Sequence, residues 1–296
     1  MKSYQFLVGA MLFLSLGCTT QSNHSLTKIT ADYQKYGLSK TVKSVKVLSY
    51  SVIEKFGDYE KGELLDNENY ILYFDESGNL SESSSFSKTG KLTFKTVYKY
   101  RDGISIGSIN YSSNGEISTE IQTEYDGDIL LSRTIIDPDA HELKKYGIDN
   151  PTNQKFDFSN DGKRITGFVR TDDGVKKEQY IYKWNGNTVD ITSHDLNGTP
   201  TGHHRTEEYD DLNRQIKLIY ENGITCEVKY NDKGLPVYLK NAHITKGTVI
   251  FDPYNKTEKI SHLTYKYDKK GNWIERVEYE GEIKKPISIS EQTIEY

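Results

Sequence analysis

Apolar and polar side chains alternate along most of this chain. Ile216, Leu218 and Tyr220 share one face of an extended segment, and Ile224, Cys226, Val228 and Tyr230 share one face of the next. Lys217, Glu221, Glu227 and Lys229 lie opposite. Leu263, Tyr265 and Tyr267 repeat the pattern, after which Trp273, Val277 and Tyr279 are set against Arg276 and Glu278. A period of two, with one apolar and one wet face, belongs to antiparallel strands. A ladder of glycines separates these segments. Gly78, Gly90, Gly103, Gly115 and Gly127 are 12, 13, 12 and 12 residues apart, and Gly162, Gly174, Gly186 and Gly198 keep a spacing of 12. The series continues less regularly through Asn213, Gly223, Gly234 and Gly271. Gly, Asn and Asp accept the positive φ of tight hairpin turns, so each marks a reversal.

A turn every dozen residues leaves about eight for each strand, a normal length. The prediction is an all-β, up-and-down antiparallel meander of repeated hairpins, about 15–18 strands long. So long a sheet cannot stay flat with one apolar face exposed. It is expected to curl or close into a barrel, which removes sticky edges, with an extended single-layer spiral sheet as the alternative. Two stretches break the rhythm. Residues 137–154 (DPDAHELKKYGIDNPTNQ) can hold a short helix, with Asp137 capping, Pro138 at the first position and Gly147 closing it. Residues 239–259 contain Pro253 and only a weak pattern, and are expected to form an irregular excursion. Such loops are either functional or spacers between halves of one sheet.

The start of the chain follows another logic. Lys2 precedes an apolar run from Phe6 to Leu16, which is shorter than the roughly 20 residues needed to span a bilayer. Residues 1–17 therefore read as a signal peptide. Leu14-Ser15-Leu16-Gly17-Cys18 resembles the lipobox of bacterial lipoproteins, which implies cleavage after Gly17 and lipid on Cys18. Residues 18–36 then form the lipidated cysteine and a tether, polar and uncharged over Thr19 to Thr27, and residues 37–296 a single β-repeat domain. The same resemblance favours the outer membrane, because Thr19 is not the aspartate that retains such proteins at the inner one. An acidic surface-export run is missing, so a periplasm-facing position is preferred to the cell surface.

Composition narrows the picture. With Cys18 lipidated, Cys226 is the sole remaining thiol, so no intrachain disulfide can form and stability must come from packing. The net charge of −5 offers no basic patch for nucleic acid. Tyrosine is abundant, at 23 residues against 6 prolines, which suits a pleated, half-buried surface. No second apolar run could cross a membrane, so the body is expected to be soluble.

Many turns share the form aromatic, Asp or Asn, then Gly. Examples are Phe74-Asp75-Glu76-Ser77-Gly78-Asn79, Tyr125-Asp126-Gly127, Tyr230-Asn231-Asp232-Lys233-Gly234 and Tyr267-Asp268-Lys269-Lys270-Gly271-Asn272. These turns resemble the tyrosine-aspartate repeats of the Rhs type. The chain is more closely similar to Bacteroidetes lipoproteins of uncharacterised function built from such repeats, and Tyr36-Gly37-Leu38 with Val42-Lys43-Ser44-Val45 matches the start of their mature domains. The resemblance covers most of residues 36–296. It implies a soluble porin-like barrel and says almost nothing about activity.

Local patterns that imitate sites have plainer readings. Gly103-Ile104-Ser105-Ile106-Gly107 satisfies G-x-S-x-G but enters a strand, where a hydrolase needs a strand-to-helix elbow. Asp157-Phe158-Ser159-Asn160-Asp161-Gly162 starts like a calcium loop, yet Phe168 stands where the closing glutamate belongs. His203 and His204 are adjacent on a strand, so they point to opposite faces and cannot easily share a metal. A pair from His194 to one of them is geometrically possible, but surface histidines around the Gly198 to Pro200 turn are the plainer reading. Cys226 alternates with Ile224 and Val228 as a small core residue. Trp184 and Trp273 are the candidates for stacking on a ligand, against the simpler reading that they are core or cross-strand pairs.

The expected function is therefore a non-catalytic envelope lipoprotein acting as a binding or scaffold module, without cofactor. The alternative is a carrier holding a small apolar or glycan ligand inside the barrel, and the lesser alternative a hydrolase with a dispersed site. Expected partners are the membrane, through Cys18, and a glycan, a small apolar ligand or an envelope protein.

Overall fold

The computed structural model describes residues 32–38, 42–66, 68–140, 150–254, 257–281 and 285–296. Cys18 and its signal lie outside the described residues. Among the described residues, one helical turn, α1 (Asp32–Lys35), precedes twenty-one strands. The first group is β1 (Ser44–Lys55), β2 (Asp58–Leu64), β3 (Asn69–Phe74), β4 (Leu80–Phe86), β5 (Leu92–Arg101), β6 (Ile104–Ser112) and β7 (Ile117–Asp126). There follow β8 (Ile129–Ile136), β9 (Asn153–Asn160), β10 (Ile165–Asp172), β11 (Val175–Asn185), β12 (Thr188–His194), β13 (Pro200–Tyr209) and β14 (Gln215–Tyr220). The last are β15 (Thr225–Tyr230), β16 (Pro236–Lys240), β17 (Ala242–Thr245), β18 (Thr248–Phe251), β19 (Ile260–Tyr267), β20 (Trp273–Glu280) and β21 (Lys285–Glu295).

Every pairing is antiparallel between neighbours, and the ring closes on β1. Ser44 to Ser51 pair with Glu295 to Ser288 of β21, while Ser44 to Val47 pair with Tyr73 to Tyr70 of β3. Eighteen strands thus form a closed β-barrel, and the spiral-sheet alternative is excluded. The far end of β1 outruns the ring. Val52 to Lys55 pair with Lys61 to Asp58 of β2, making a hairpin arm tipped by fully exposed Phe56.

The turns behave as their residues dictate. Asp75 Oδ1 accepts the Ser77 and Asn79 amides, both at 2.9 Å, and Asp268 Oδ1 accepts those of Lys270 and Asn272 at 2.8 and 2.9 Å. Gly78 and Gly271 hold the positive φ (82° and 86°) that closes each turn. Because strands alternate in direction, successive turns fall on opposite rims. The aromatic-Asx turns all lie on the rim where α1 enters, and the strand register turns their aromatics into the lumen. Phe74, Tyr100, Tyr125, Phe158, Trp184, Tyr209, Tyr230 and Tyr267 line this rim as an aromatic collar, one from each hairpin.

Three buried clusters line the lumen. Val45, Val47, Leu72, Phe74, Leu80 and Trp273 pack near the entry rim; Leu218, Cys226, Val228, Leu239 and Leu263 line one wall; Phe156 and Phe168 anchor a third. The outer wall carries ion pairs. Lys95 pairs with Glu82, Lys99 with Glu120 and Lys217 with Glu208, at 3.7, 3.2 and 3.4 Å. These pairs interrupt outward apolar side chains such as Ile71, Val97, Ile109 and Ile219, where a membrane-spanning barrel shows a continuous apolar band.

Three expectations change. The stretch 239–259, expected to be irregular, contains the ordered hairpin β17–β18, paired from Ala242↔Phe251 to Thr245↔Thr248 and turned by Lys246 and Gly247, both at positive φ. The opposition of Val277 and Tyr279 to Arg276 and Glu278 has its faces exchanged. A register shift beside Trp273 turns Arg276 into the lumen and leaves Val277 and Tyr279 on the outer wall. Residues 32–36, placed in the tether, are docked: the Asp32 carboxylate accepts the Leu80 amide at 3.0 Å, and Tyr36 packs edge-on against Phe74 at 5.9 Å. In the other excursion, Asp137 accepts the Asp139 amide and the Asn150 side chain. Residues 141–149, where the helix would continue, lie outside the described residues.

Candidate functional site: a plugged lumen

The β17–β18 hairpin leaves the wall between β16 and β19 and crosses the interior. Ala242 and Phe251 pack at its base against Leu218, Cys226, Leu239 and Leu263. Burying a phenylalanine of this kind contributes about 1.5–3 kcal/mol, so the seat is firm. At the tip, the Gly247 backbone lies so close to Tyr36 that a Cβ would meet its ring at 2.7 Å. The Lys246 ammonium lies 4.4 Å from the centroid of Phe94 on β5, on the opposite wall. Burial pushes this lysine down to about 8. A cavity beside the hairpin, bordered by Tyr36, Tyr70, Ile244, Tyr265, Trp273 and Arg276, holds about 20 Å³. That is room for one water. Burial pushes the Tyr70 hydroxyl up to about 12 and raises Tyr36 and Tyr265 as well, so these phenols stay neutral.

The rest of the inner wall carries paired charges. Arg170 binds Asp172 at 2.7 Å and Glu178 at 2.9 Å, and Arg205 binds Glu207 at 2.7 Å, with the Tyr209 hydroxyl donating to the same carboxylate. Burial opposes the Arg205 charge, but Glu207 and the neighbouring phenols outweigh it and hold the guanidinium more firmly protonated. Arg276 donates to Ser290 Oγ at 3.0 Å, and Ser290 meets Ser49 Oγ at 2.9 Å. Each of these carboxylates already holds an arginine. The arrangement braces strands against each other.

The residues singled out from sequence fall as follows. Trp273 is buried core, edge-on to Tyr265 at 6.1 Å. Trp184 donates Nε1 to the Ile165 carbonyl at 2.8 Å and is covered by the Arg164 guanidinium at 4.6 Å. Neither presents a free face to a ligand, and they sit on separate strands of the collar. His194 bridges Thr192 and the Gly198 carbonyl within its own turn, while His204 lies 3.8 Å from Asp190 on the outer wall, across the sheet from His203. Among the described residues, no three His, Cys, Asp or Glu side chains are grouped to hold a metal. Cys226 is fully buried, and burial pushes its thiol up to about 12. Ser105 lies within β6, and Gly107 is glycine because a Cβ there would sit 2.1 Å from the Ile121 carbonyl oxygen. Asp161 accepts the Lys163 and Arg164 amides, both at 2.8 Å, an ordinary Asx turn.

No protein-family model matches the chain, and no curated protein matches it. Among solved structures it is similar to a porin-like protein from Bacteroides uniformis, at 12% identity over 87% of this chain and 99% of that one, with a TM-score of 0.36. A porin-like protein from Bacteroides vulgatus gives 10% identity over 86% and 98% of the two chains, with a TM-score of 0.30. The Tc holotoxin pore of Photorhabdus luminescens gives 13% identity over 78% of this chain and 13% of that one, again with a TM-score of 0.30. Closure of the present barrel rests on the register of β1 with β3 and β21, not on these likenesses.

Sequence reasoning missed the luminal charges and the plug. Arg170, Arg205 and Arg276 all turn inward, whereas alternation alone assigns a charged residue to the wet face. The signal for the plug was present in Lys246-Gly247 between the short alternating segments AHIT and TVIF.

Proposed function

We propose that this protein is a non-catalytic, lipid-anchored binding module of a bacterial envelope that presents the outside of its barrel to its partner. The crossing hairpin supports this reading: it occupies lumen that an internal ligand would need, and the cavity between Tyr36, Tyr70 and Trp273 has room for one water. An outer wall interrupted by ion pairs supports a barrel held beside a membrane rather than inserted in it. The chain enters at the aromatic collar, so a lipid on Cys18 would set that rim toward the membrane, with the outer-membrane periplasmic face as the expected position.

The test is fractionation of cells expressing the full chain, with and without Cys18→Ala. The expected result is membrane association and acyl-chain labelling for the native protein, both lost in the variant. Unchanged membrane association of Cys18→Ala would overturn the anchor.

A further inference from the structure

The β1–β2 arm does not project freely; it curls over the outer wall. Lys61 on β2 reaches Glu291 on β21 at 2.6 Å, with its ammonium 5.2 Å from the Tyr50 ring. Between arm and wall lies a groove of about 650 Å³, well within the range of small-ligand sites. Tyr59 forms one side. Val277 and Tyr279 of β20, with Pro286 and Ile289 of β21, form the floor.

This floor is where β20 departs from the rest of the barrel. The register shift beside Trp273 sends Arg276 inward and turns Val277 and Tyr279 out, so the apolar side chains of β20 and β21 lie together on the outer wall beneath the arm. Ile289 is buried there although it faces outward, in one row with Val277 and Tyr50. Tyr59 remains 43% exposed. Among the described residues, neither Tyr59 nor Tyr279 stacks on another ring or beneath a cation.

The charges around the groove point to the class of ligand. Glu60 is held by Lys55 at 2.8 Å, Lys61 by Glu291 at 2.6 Å, and Lys266 by Glu275 at 2.7 Å. Every charged side chain of the lining thus has an opposite partner, and none is left to neutralise an ionic ligand. Two tyrosines facing a common space, surrounded by fixed hydrogen-bonding groups, suit a molecule with apolar C–H faces and neutral hydroxyl edges. The backbone ladder of the floor is fully engaged between β19, β20 and β21. Among the described residues β2 pairs only with β1, so an extended peptide added to the β2 edge is the competing occupant that the titration must exclude.

We propose that this groove binds a neutral oligosaccharide, stacked on Tyr59 and Tyr279 and hydrogen-bonded by the flanking ion pairs. The inference rests on the reading of the protein as a binding module and gives that module a site. The arm leaves β1 at the rim opposite the entry of the tether, so a lipid on Cys18 would leave the arm on the side away from the membrane.

The experiment is calorimetric titration of the full mature protein with cellohexaose, maltohexaose, xylohexaose and mannohexaose. Native protein is expected to bind at least one of them. Tyr59→Ala and Tyr279→Ala, both altering outer-wall side chains, are expected to weaken that binding at least tenfold with the unfolding midpoint unchanged. Tyr111→Ala, on the outer wall beside Lys95, is the control and should bind as the native protein does. No binding to any of the four, equal binding by the two groove variants, or displacement of the sugar by extended peptides alone would overturn the proposal. Loss of sugar binding leaves the Cys18 fractionation result untouched, so the groove and the anchor fail separately.

Discussion

The Lys246 ammonium meets the Phe94 ring at 4.4 Å, where the inserted hairpin touches the wall facing its origin. Among the described residues no carboxylate pairs with it, so the aromatic face is its partner, and a cation–π contact offsets only part of the desolvation. The lysine is pushed down to about 8 from 10.5. Below pH 8 both folded and unfolded chains carry the proton, and the folded state bears the full penalty. Between pH 8 and 10.5 the unfolded chain binds the extra proton, so stability rises with pH.

Lys246→Met should therefore stabilise the protein at pH 7 by about 1–3 kcal/mol, an amount bounded by the size of the shift. The gain should fade as pH approaches 10.5, where the native lysine also becomes neutral on unfolding. Urea denaturation at several pH values measures it. A variant less stable than the native protein at pH 7 would mean that the ammonium sits in a favourable site.

Gly107 supplies a second test. Its φ is 150°, and a Cβ would stand 2.1 Å from the Ile121 carbonyl oxygen, a rigid backbone atom. Gly115, on the opposite rim, has φ 86° and open space around it. Gly107→Ala is expected to cost about 3 kcal/mol or more, through both backbone strain and forced separation of β6 from β7. Gly115→Ala should cost only about 1 kcal/mol, the strain alone. Ser105→Ala, in the same G-x-S-x-G string, should change the melting temperature little. Equal costs at the two glycines would show that the β6–β7 approach is not as tight as described.

These glycines show what the sequence made legible. Turn residues act locally: an aspartate that clamps its own loop, as Asp75 and Asp268 do, needs no distant partner, so the ladder of hairpins and the approximate strand number could be read directly. Closure was also readable as a need to remove edges. The side of the sheet on which a residue falls was less so, because a single bulge inverts it. The register shift beside Trp273 exchanged Arg276 with Val277 and so hid both a luminal guanidinium and the floor of the groove. Trp184 and Trp273 attracted notice as large aromatics, but their burial depends on Arg164 and Tyr265 arriving from other strands. The β17–β18 hairpin was overlooked because its strands, four residues each, are too short for the period of the rest.

The entry rim is held by Asp32, and this can be tested through Tyr100. The Asp32 carboxylate accepts the Tyr100 hydroxyl at 2.6 Å, the Leu80 amide at 3.0 Å and the Lys35 ammonium at 2.7 Å. Burial alone would raise its pKa, but Lys35, Tyr100 and Leu80 together outweigh burial and hold it below the ordinary 3.8. A depressed carboxylate gives stability that is present above the unfolded value and is lost as pH falls through the folded one. Asp32→Ala strands two buried donors and should cost about 2–4 kcal/mol near neutral pH, whereas Tyr100→Phe removes one bond and should cost about 1 kcal/mol. Because the two share that bond, the double variant should be less destabilised than the sum of the singles. Asp32→Asn should flatten the acid limb of the stability curve below pH 3.8. Strict additivity, measured by denaturant unfolding of the four chains, would show that Asp32 and Tyr100 are not coupled. The tether would then enter the barrel without being fixed at this rim.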